Sequence, residues 1–105
     1  MTGAIVIFST APASLAETIA RALVERRLAA CVNMTGVRSV YRWEGEICDE
    51  PEQLLIVKTT QEYGEKVLAA IRELHTYAVP EMIVLPITGG YPPYLAWIAQ
   101  ETGSG

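Results

Sequence analysis

Residues 4–8, Ala-Ile-Val-Ile-Phe, form a run of five apolar residues close to the start of the chain. A strand that is apolar without alternation is buried on both faces, so this run predicts the central strand of a sheet. The chain has 105 residues, which is enough for one domain, residues 1–105, and too few for two. The fold is therefore decided by how the remaining segments cover the two faces of this strand.

Three segments carry helix signals. Apolar residues recur at helical spacing in the first to about Arg27 and in the second to near His75. Each begins at a capping-box pattern, residues 14–17 and 59–62, which predicts that a side chain caps the first turn. A short third helix is predicted after Pro92 and Pro93, because proline is accommodated in the first helical turn. Residues 102–105 are predicted to be a frayed tail.

A pair of strands lies between the first two helices. From residue 37 to residue 43 polar and apolar side chains alternate, and residues 53–59 return as an apolar strand. The segment 44–46, Glu-Gly-Glu, predicts a tight turn between them, and Gly36 predicts a β-bulge in the first strand. A last strand is predicted over residues 82–87, where Pro86 requires an edge or a strand end.

The resulting order is β-α-β-β-α-β-α. The first six elements match the ferredoxin-like split βαβ unit, an α+β fold whose helices cover one face of an antiparallel sheet. One short helix is left for the second face, and Tyr41, Trp43 and Leu54 indicate that this face is apolar. We therefore expect a second subunit to cover it.

Charge and cysteine usage exclude several classes of function. The net charge of −4 and the pI of about 4.9 provide no basic face for nucleic acid. The apolar run at residues 4–8 is far too short to cross a bilayer, and no basic region precedes it. Cys31 and Cys48 do not make a disulfide framework. We expect a cytoplasmic protein that binds neither nucleic acid nor membrane.

Two segments contain candidate ligands for a metal ion. Cys31 lies in an apolar strand, where a cysteine serves either as a small buried hydrophobe or as a soft-metal or redox thiol. His75 begins a polar cluster with Tyr77 and Glu81, and it either has a function there or caps the second helix. One histidine and two cysteines cannot form a closed zinc site within one subunit, whereas they are compatible with a copper site that has few ligands.

Other residues have a structural and a functional interpretation. Tyr41 and Trp43 lie on one strand face, as a cross-strand aromatic pair or as an intersubunit contact. The acidic run 44–52 is expected to be a solvated loop. Catalytic sequence templates are missing, so an enzyme that uses Lys58 or Cys31 is the weakest of the interpretations.

Six motifs in order carry a resemblance to a known family, and together they cover the chain from Ile5 to about Glu101. The motifs are Leu28-Ala29-Ala30-Cys31-Val32-Asn33, Tyr41-x-Trp43-x-Gly45-x-Ile47, Lys58-Thr59, Tyr77-x-Val79-Pro80-Glu81-Met82, Leu85-Pro86-Ile87 and Tyr94-Leu95-x-Trp97-Ile98. The chain resembles the CutA divalent-cation-tolerance family. The resemblance implies a ferredoxin-like subunit, a homotrimer similar to the PII signalling proteins, and a non-enzymatic role linked to copper and other divalent metals.

We therefore expect a homotrimer with no obligatory cofactor that binds copper or another divalent cation weakly. The candidate metal ligands are His75, Cys31 and Glu81. The alternative is a PII-like trimer that binds a small effector in clefts between subunits, and its candidate residues are Lys58, Tyr77, Glu81 and Trp43. Four positions depart from the family pattern and weaken the copper interpretation: Ser9, Leu74, Thr76 and Ala78.

Overall fold

The computed structural model describes residues 2–103, which form one four-stranded antiparallel sheet and three α-helices. The elements in order are β1 Ala4–Ala11, α1 Ala13–Glu25, β2 Cys31–Trp43, β3 Glu46–Thr60, α2 Gln61–Leu74, β4 Ile83–Pro86 and α3 Pro92–Glu101. The strand order β2-β3-β1-β4 places the apolar run of β1 between two neighbours, as predicted. The α+β ferredoxin-like prediction is confirmed, and β4 with its Pro86 lies at an edge of the sheet.

The main core lies between one face of the sheet and the helices α1 and α2. Its largest side chains are completely buried and come from four of these elements: Ile7, Ile19, Leu23, Leu55 and Ile71. These positions follow period two in the strands and the helical period in α1 and α2, so the periodic patterns of the sequence select the core side chains.

The connection between β2 and β3 is a two-residue turn formed by Glu44 and Gly45, with φ of 50° and 82°. Two successive positive φ angles define a type I′ turn, which suits the right-handed twist of a hairpin. The predicted tight turn is therefore confirmed. The bulge predicted at Gly36 is wrong, because Gly36 pairs with Gln53 in a ladder that runs one residue to one residue along all of β2.

Both predicted capping boxes are wrong, because each helix boundary differs from the one the pattern implies. The N-cap of α1 is Pro12, so Ser14 lies inside the first turn. The N-cap of α2 is Thr60, and neither N-cap residue makes a side-chain capping hydrogen bond. The hydroxyl of Thr59 is buried in β3 and donates to the carbonyl of Leu28 at 2.7 Å.

The residues at the end of α3 and after it are held by Arg27, which follows α1. Arg27, at φ 58°, donates from Nε to the carbonyl of Gly103 and from Nη2 to the carbonyl of Gln100 at 2.9 Å. The amide of Gly103 donates back to the carbonyl of Arg27 at 2.8 Å. The frayed tail is therefore wrong for Thr102 and Gly103, which are both buried, while residues 104 and 105 lie outside the described part of the chain.

The second face of the sheet is covered at one end, where Ile98 of α3 packs on Ala4 and Ala30. Elsewhere the described residues leave large apolar side chains on the surface. Trp43 is 44% exposed, and Ile83 and Leu85 of the edge strand are 48% and 40% exposed. The predicted apolar character of this face is confirmed. In residues 2–103 no helix is both long and apolar enough to cross a bilayer.

Candidate functional site

The hairpin of β2 and β3 extends beyond the rest of the sheet. Pairing between β1 and β3 ends where Ala11 meets Gln53, so the residues of β3 before Gln53 pair with β2 alone. Residues 37–52, which we call the arm, contribute to the 44 Å long axis of a molecule that measures 25 and 21 Å along its other axes. The arm carries the aromatic and acidic residues whose role the sequence left open.

A cleft of about 660 Å³ separates the arm from the segment that follows α2. The arm contributes Arg38, Tyr41, Trp43 and Glu52, and the segment after α2 contributes residues 77, 78, 79 and 81. This volume lies within the range of small-molecule sites, roughly 300–1,000 Å³. Charged and aromatic side chains from two distant parts of the sequence therefore meet around one space.

A contact between Glu52 and Tyr77 joins the two sides of the cleft. Glu52 is 8% exposed, and its Oε2 accepts a hydrogen bond of 2.8 Å from the Tyr77 hydroxyl. Desolvation raises the pKa of Tyr77 far above its ordinary value, and the hydrogen bond and negative charge of Glu52 raise it further. Tyr77 consequently stays a hydrogen-bond donor and ties the segment after α2 to the arm.

His75 holds the same segment against β1. Its Nδ1 accepts from the backbone amide of Tyr77 at 3.1 Å, and its Nε2 lies 2.8 Å from the carbonyl of Thr10. A neutral imidazole that accepts at Nδ1 carries its hydrogen on Nε2, so this geometry assigns the tautomer that donates to Thr10. Both ring nitrogens of His75 are therefore engaged within the chain.

The predicted metal ligands lie in different places. Cys31 pairs with Lys58, whereas Thr10, which His75 contacts, pairs with Leu54. Four positions of β3 separate Leu54 from Lys58, which corresponds to about 13 Å at the usual rise of a strand. Glu81 lines the cleft, which His75 does not. No group of three His, Cys, Asp or Glu side chains within residues 2–103 is arranged to hold a metal ion.

Of the residues predicted for an effector cleft, Trp43, Tyr77 and Glu81 line this one. Lys58 lies outside it, with Nζ 3.4 Å from the Tyr94 hydroxyl and 5.6 Å from the centre of that ring. The prediction of a solvated acidic loop over residues 44–52 is wrong for residues 46–52, which belong to β3, and sequence reasoning missed the burial of Glu52 among them. The register supplies the missing signal, because Glu52 pairs with Val37 and so shares the apolar face of the arm.

Comparison with known proteins matches residues 4–101 to the model of a family described as CutA1 divalent ion tolerance protein. The match spans every strand and helix described above. The chain belongs to the CutA1 family. A curated relative, the divalent-cation tolerance protein CutA of Thermus thermophilus, is 48% identical over 93% of this chain and 97% of its own length.

Solved CutA structures share the fold. The CutA1 structure from Thermus thermophilus has a TM-score of 0.91 at 47% identity and covers 95% of this chain and 99% of its own. The PII-like protein CutA from Nostoc, in apo form, has a TM-score of 0.91 at 35% identity and covers 94% and 97%. The chain spans about half the length of several plant and mammalian CutA relatives.

Proposed function

We propose that this chain acts in divalent-cation tolerance as a homotrimer that binds ligands without chemical turnover. The observation that carries the proposal is the family match over residues 4–101. The acidic net charge supports a role without nucleic acid. The two free cysteines support a reducing compartment, which we take to be the cytoplasm.

The edges of the sheet support self-association. β2 and β4 are the two outer strands, and β4 exposes Ile83, Val84 and Leu85. An unpaired apolar edge strand is a template for another chain. Because β2 and β4 differ, contact between them would be head-to-tail, and such contacts build a closed ring when the rotation from one chain to the next closes on itself. We propose a ring of three chains, in which residues 37–43 and 53–59 belong to the interface.

Light scattering tests the assembly. The wild-type protein should show three chain masses at micromolar concentration, and Leu85→Lys should lower this mass because it places a charge on the proposed edge contact. Ala69→Lys is the matched control, since Ala69 is exposed on α2 away from the sheet edges. A monomeric wild type, or equal masses for both variants, would contradict the proposed ring.

For the metal ion we propose weak binding that depends on His75, with copper among the ions bound. A ligating His75 would first give up a hydrogen bond to Tyr77 or Thr10. A single imidazole with at most one nearby carboxylate supports affinity in the micromolar range or weaker, about −8 kcal/mol or less favourable.

Titration with Cu(II) tests this part of the proposal. His75→Ala should abolish the measured binding, and Cys31→Ala, the control, should leave it unchanged because Cys31 pairs with Lys58, four positions along β3 from Leu54, the partner of the Thr10 that His75 contacts. Acid should also abolish it, since a protonated imidazole cannot ligate. Nanomolar binding that survives His75→Ala would place the metal elsewhere.

A second candidate function is the binding of a small effector, as implied by the likeness to PII proteins. The cleft of about 660 Å³ between the arm and residues 77–81 favours it, because most arm residues that line it belong to the proposed interface and the cleft therefore borders a neighbouring subunit. Calorimetry with a metabolite panel should find a ligand whose heat disappears in Ala78→Trp, which fills the cleft. Ala69→Trp on α2 should retain the heat, and a hit that binds both variants equally would lie outside the cleft.

A further inference from the structure

In the described part of a single chain, the carboxylates of the cleft form no ion pair. Among the four ion pairs of residues 2–103, none includes Glu52 or Glu81. Oε2 of Glu52 accepts from Tyr77, and Oε1, to which no donor within the described residues bonds, is in contact with solvent although the residue is only 8% exposed. A carboxylate in a mostly buried residue is favoured by a compensating cation, and Oε1 of Glu52 is accessible in the cleft as an acceptor for one.

The one cationic side chain in the lining is already engaged. Arg38 donates from Nε and Nη2 to the two carboxylate oxygens of Asp49, at 2.8 and 2.7 Å. This bidentate bond holds the pKa of the Asp49 carboxyl below its ordinary value. The charge of Arg38 is therefore matched by Asp49, and it does not neutralise Glu52 and Glu81.

The two phenols of the lining also respond to negative charge. Desolvation raises the pKa of Tyr41, and the charges of Glu50 and Glu52 raise it further. The pKa of Tyr77 rises for the same kinds of reason, with Glu52 as its main charged neighbour. The cleft therefore combines a negative potential with the ring faces of Tyr41 and Trp43, and aromatic faces attract cations.

We propose that the cleft binds a small organic cation, a primary ammonium group carried on an aromatic or apolar body. The ammonium donates to Glu52 and Glu81, and the body packs on the aromatic rings of the arm. This inference rests on the second candidate function and names its ligand class. Inorganic cations fit less well, because a metal ion gains nothing from the apolar walls and no group of three His, Cys, Asp or Glu side chains within residues 2–103 is arranged to hold one.

Three probes of the same shape separate charge from fit: phenethylamine as the cation, 2-phenylethanol as the neutral analogue and phenylacetate as the anion. Calorimetry on the wild-type protein should show binding of phenethylamine at least tenfold tighter than 2-phenylethanol, and no binding of phenylacetate. Added salt should weaken the binding of phenethylamine. The indole N–H resonance of Trp43, assigned by its retention in Trp97→Phe, should shift with phenethylamine.

Charge-removing variants locate the site. Glu52→Gln and Glu81→Gln should each weaken phenethylamine at least fivefold, and Glu52→Gln keeps an acceptor for Tyr77. Glu25→Gln makes the same change on the exposed end of α1 and should stay within twofold of wild type. Because Glu81 takes part in none of the four ion pairs of residues 2–103, Glu81→Gln remains informative if Glu52→Gln fails to fold.

Each other outcome overturns the inference. Equal binding of 2-phenylethanol, or preference for phenylacetate, would keep the cleft as an effector site and reject a cationic ligand. Retention of full affinity in both glutamine variants would place phenethylamine outside the cleft. If none of the three probes binds while the metabolite panel yields a ligand that Ala78→Trp abolishes, the effector function stands and the ligand class is wrong.

Discussion

The hydroxyl of Tyr77 joins two parts of the molecule that are far apart in sequence. It donates to Glu52 of the arm, while the backbone amide of the same residue donates to His75. The ring of Tyr77 also packs beside that of His75, with centroids 4.4 Å apart. One side chain thus fixes the position of the segment after α2 relative to both the arm and β1.

This arrangement predicts a dependence of stability on alkaline pH. The pKa of Tyr77 in the folded protein lies above its ordinary value of 10.0, so the folded state retains the proton longer than the unfolded state. The stabilisation is complete below about pH 10 and is lost as the pH rises further. Urea unfolding at pH 8 to 11 should show a steeper loss for wild type than for Tyr77→Phe; parallel losses would contradict the assignment.

Gly103 predicts a second effect of a single residue. Its φ of 88° is unfavourable for any L side chain, and an added Cβ would overlap the Tyr63 hydroxyl. Gly103→Ala should therefore lower the free energy of unfolding by about 1–3 kcal/mol in thermal or urea denaturation. Gly89→Ala is the control, because an added Cβ there meets nothing within 4 Å, and its effect should stay within about 0.5 kcal/mol.

At the scale of elements, the β2–β3 turn contains a residue that suits it poorly. Glu44 adopts φ 50°, a conformation that asparagine and glycine tolerate better. Glu44→Asn should stabilise the arm by about 0.5–1 kcal/mol, measured by urea unfolding. Glu46→Asn removes the same charge from a regular strand position and should not stabilise it. A gain of equal size in both variants would point to relief of charge repulsion instead.

The order of the elements could be predicted from the sequence because the spacing of apolar residues reflects which side chains the whole fold buries. The helix starts were predicted wrongly. The motifs at Ser14 and Thr59 are local patterns, and the N-caps of the two helices are other residues, Pro12 and Thr60. Glu52 was also predicted wrongly, as part of a solvated loop. The burial of that carboxylate depends on the return of Tyr77 across the arm, a long-range contact that no local pattern encodes.

At the scale of the whole molecule, the arm and the central strand β1 differ in the strands that flank them. Residues 37–52 have strand partners only within the arm, whereas β1 has a partner on each side. In the proposed trimer a neighbour would protect the arm. Hydrogen exchange should therefore be faster in the arm of Leu85→Lys than in that of wild type, with β1 unchanged in both. Equal protection of the arm in both proteins would contradict this.

One of the two tryptophans lies on the arm and the other lies outside it. Trp43 is on the arm near the β2–β3 turn, and Trp97 is on α3, stacked on Tyr94 with ring centroids 5.5 Å apart. Intrinsic fluorescence of the wild-type protein therefore adds one signal from the arm to one from the C-terminal helix. A denaturation curve recorded this way sums the signals of two environments, and each is seen alone only after the other indole has been replaced.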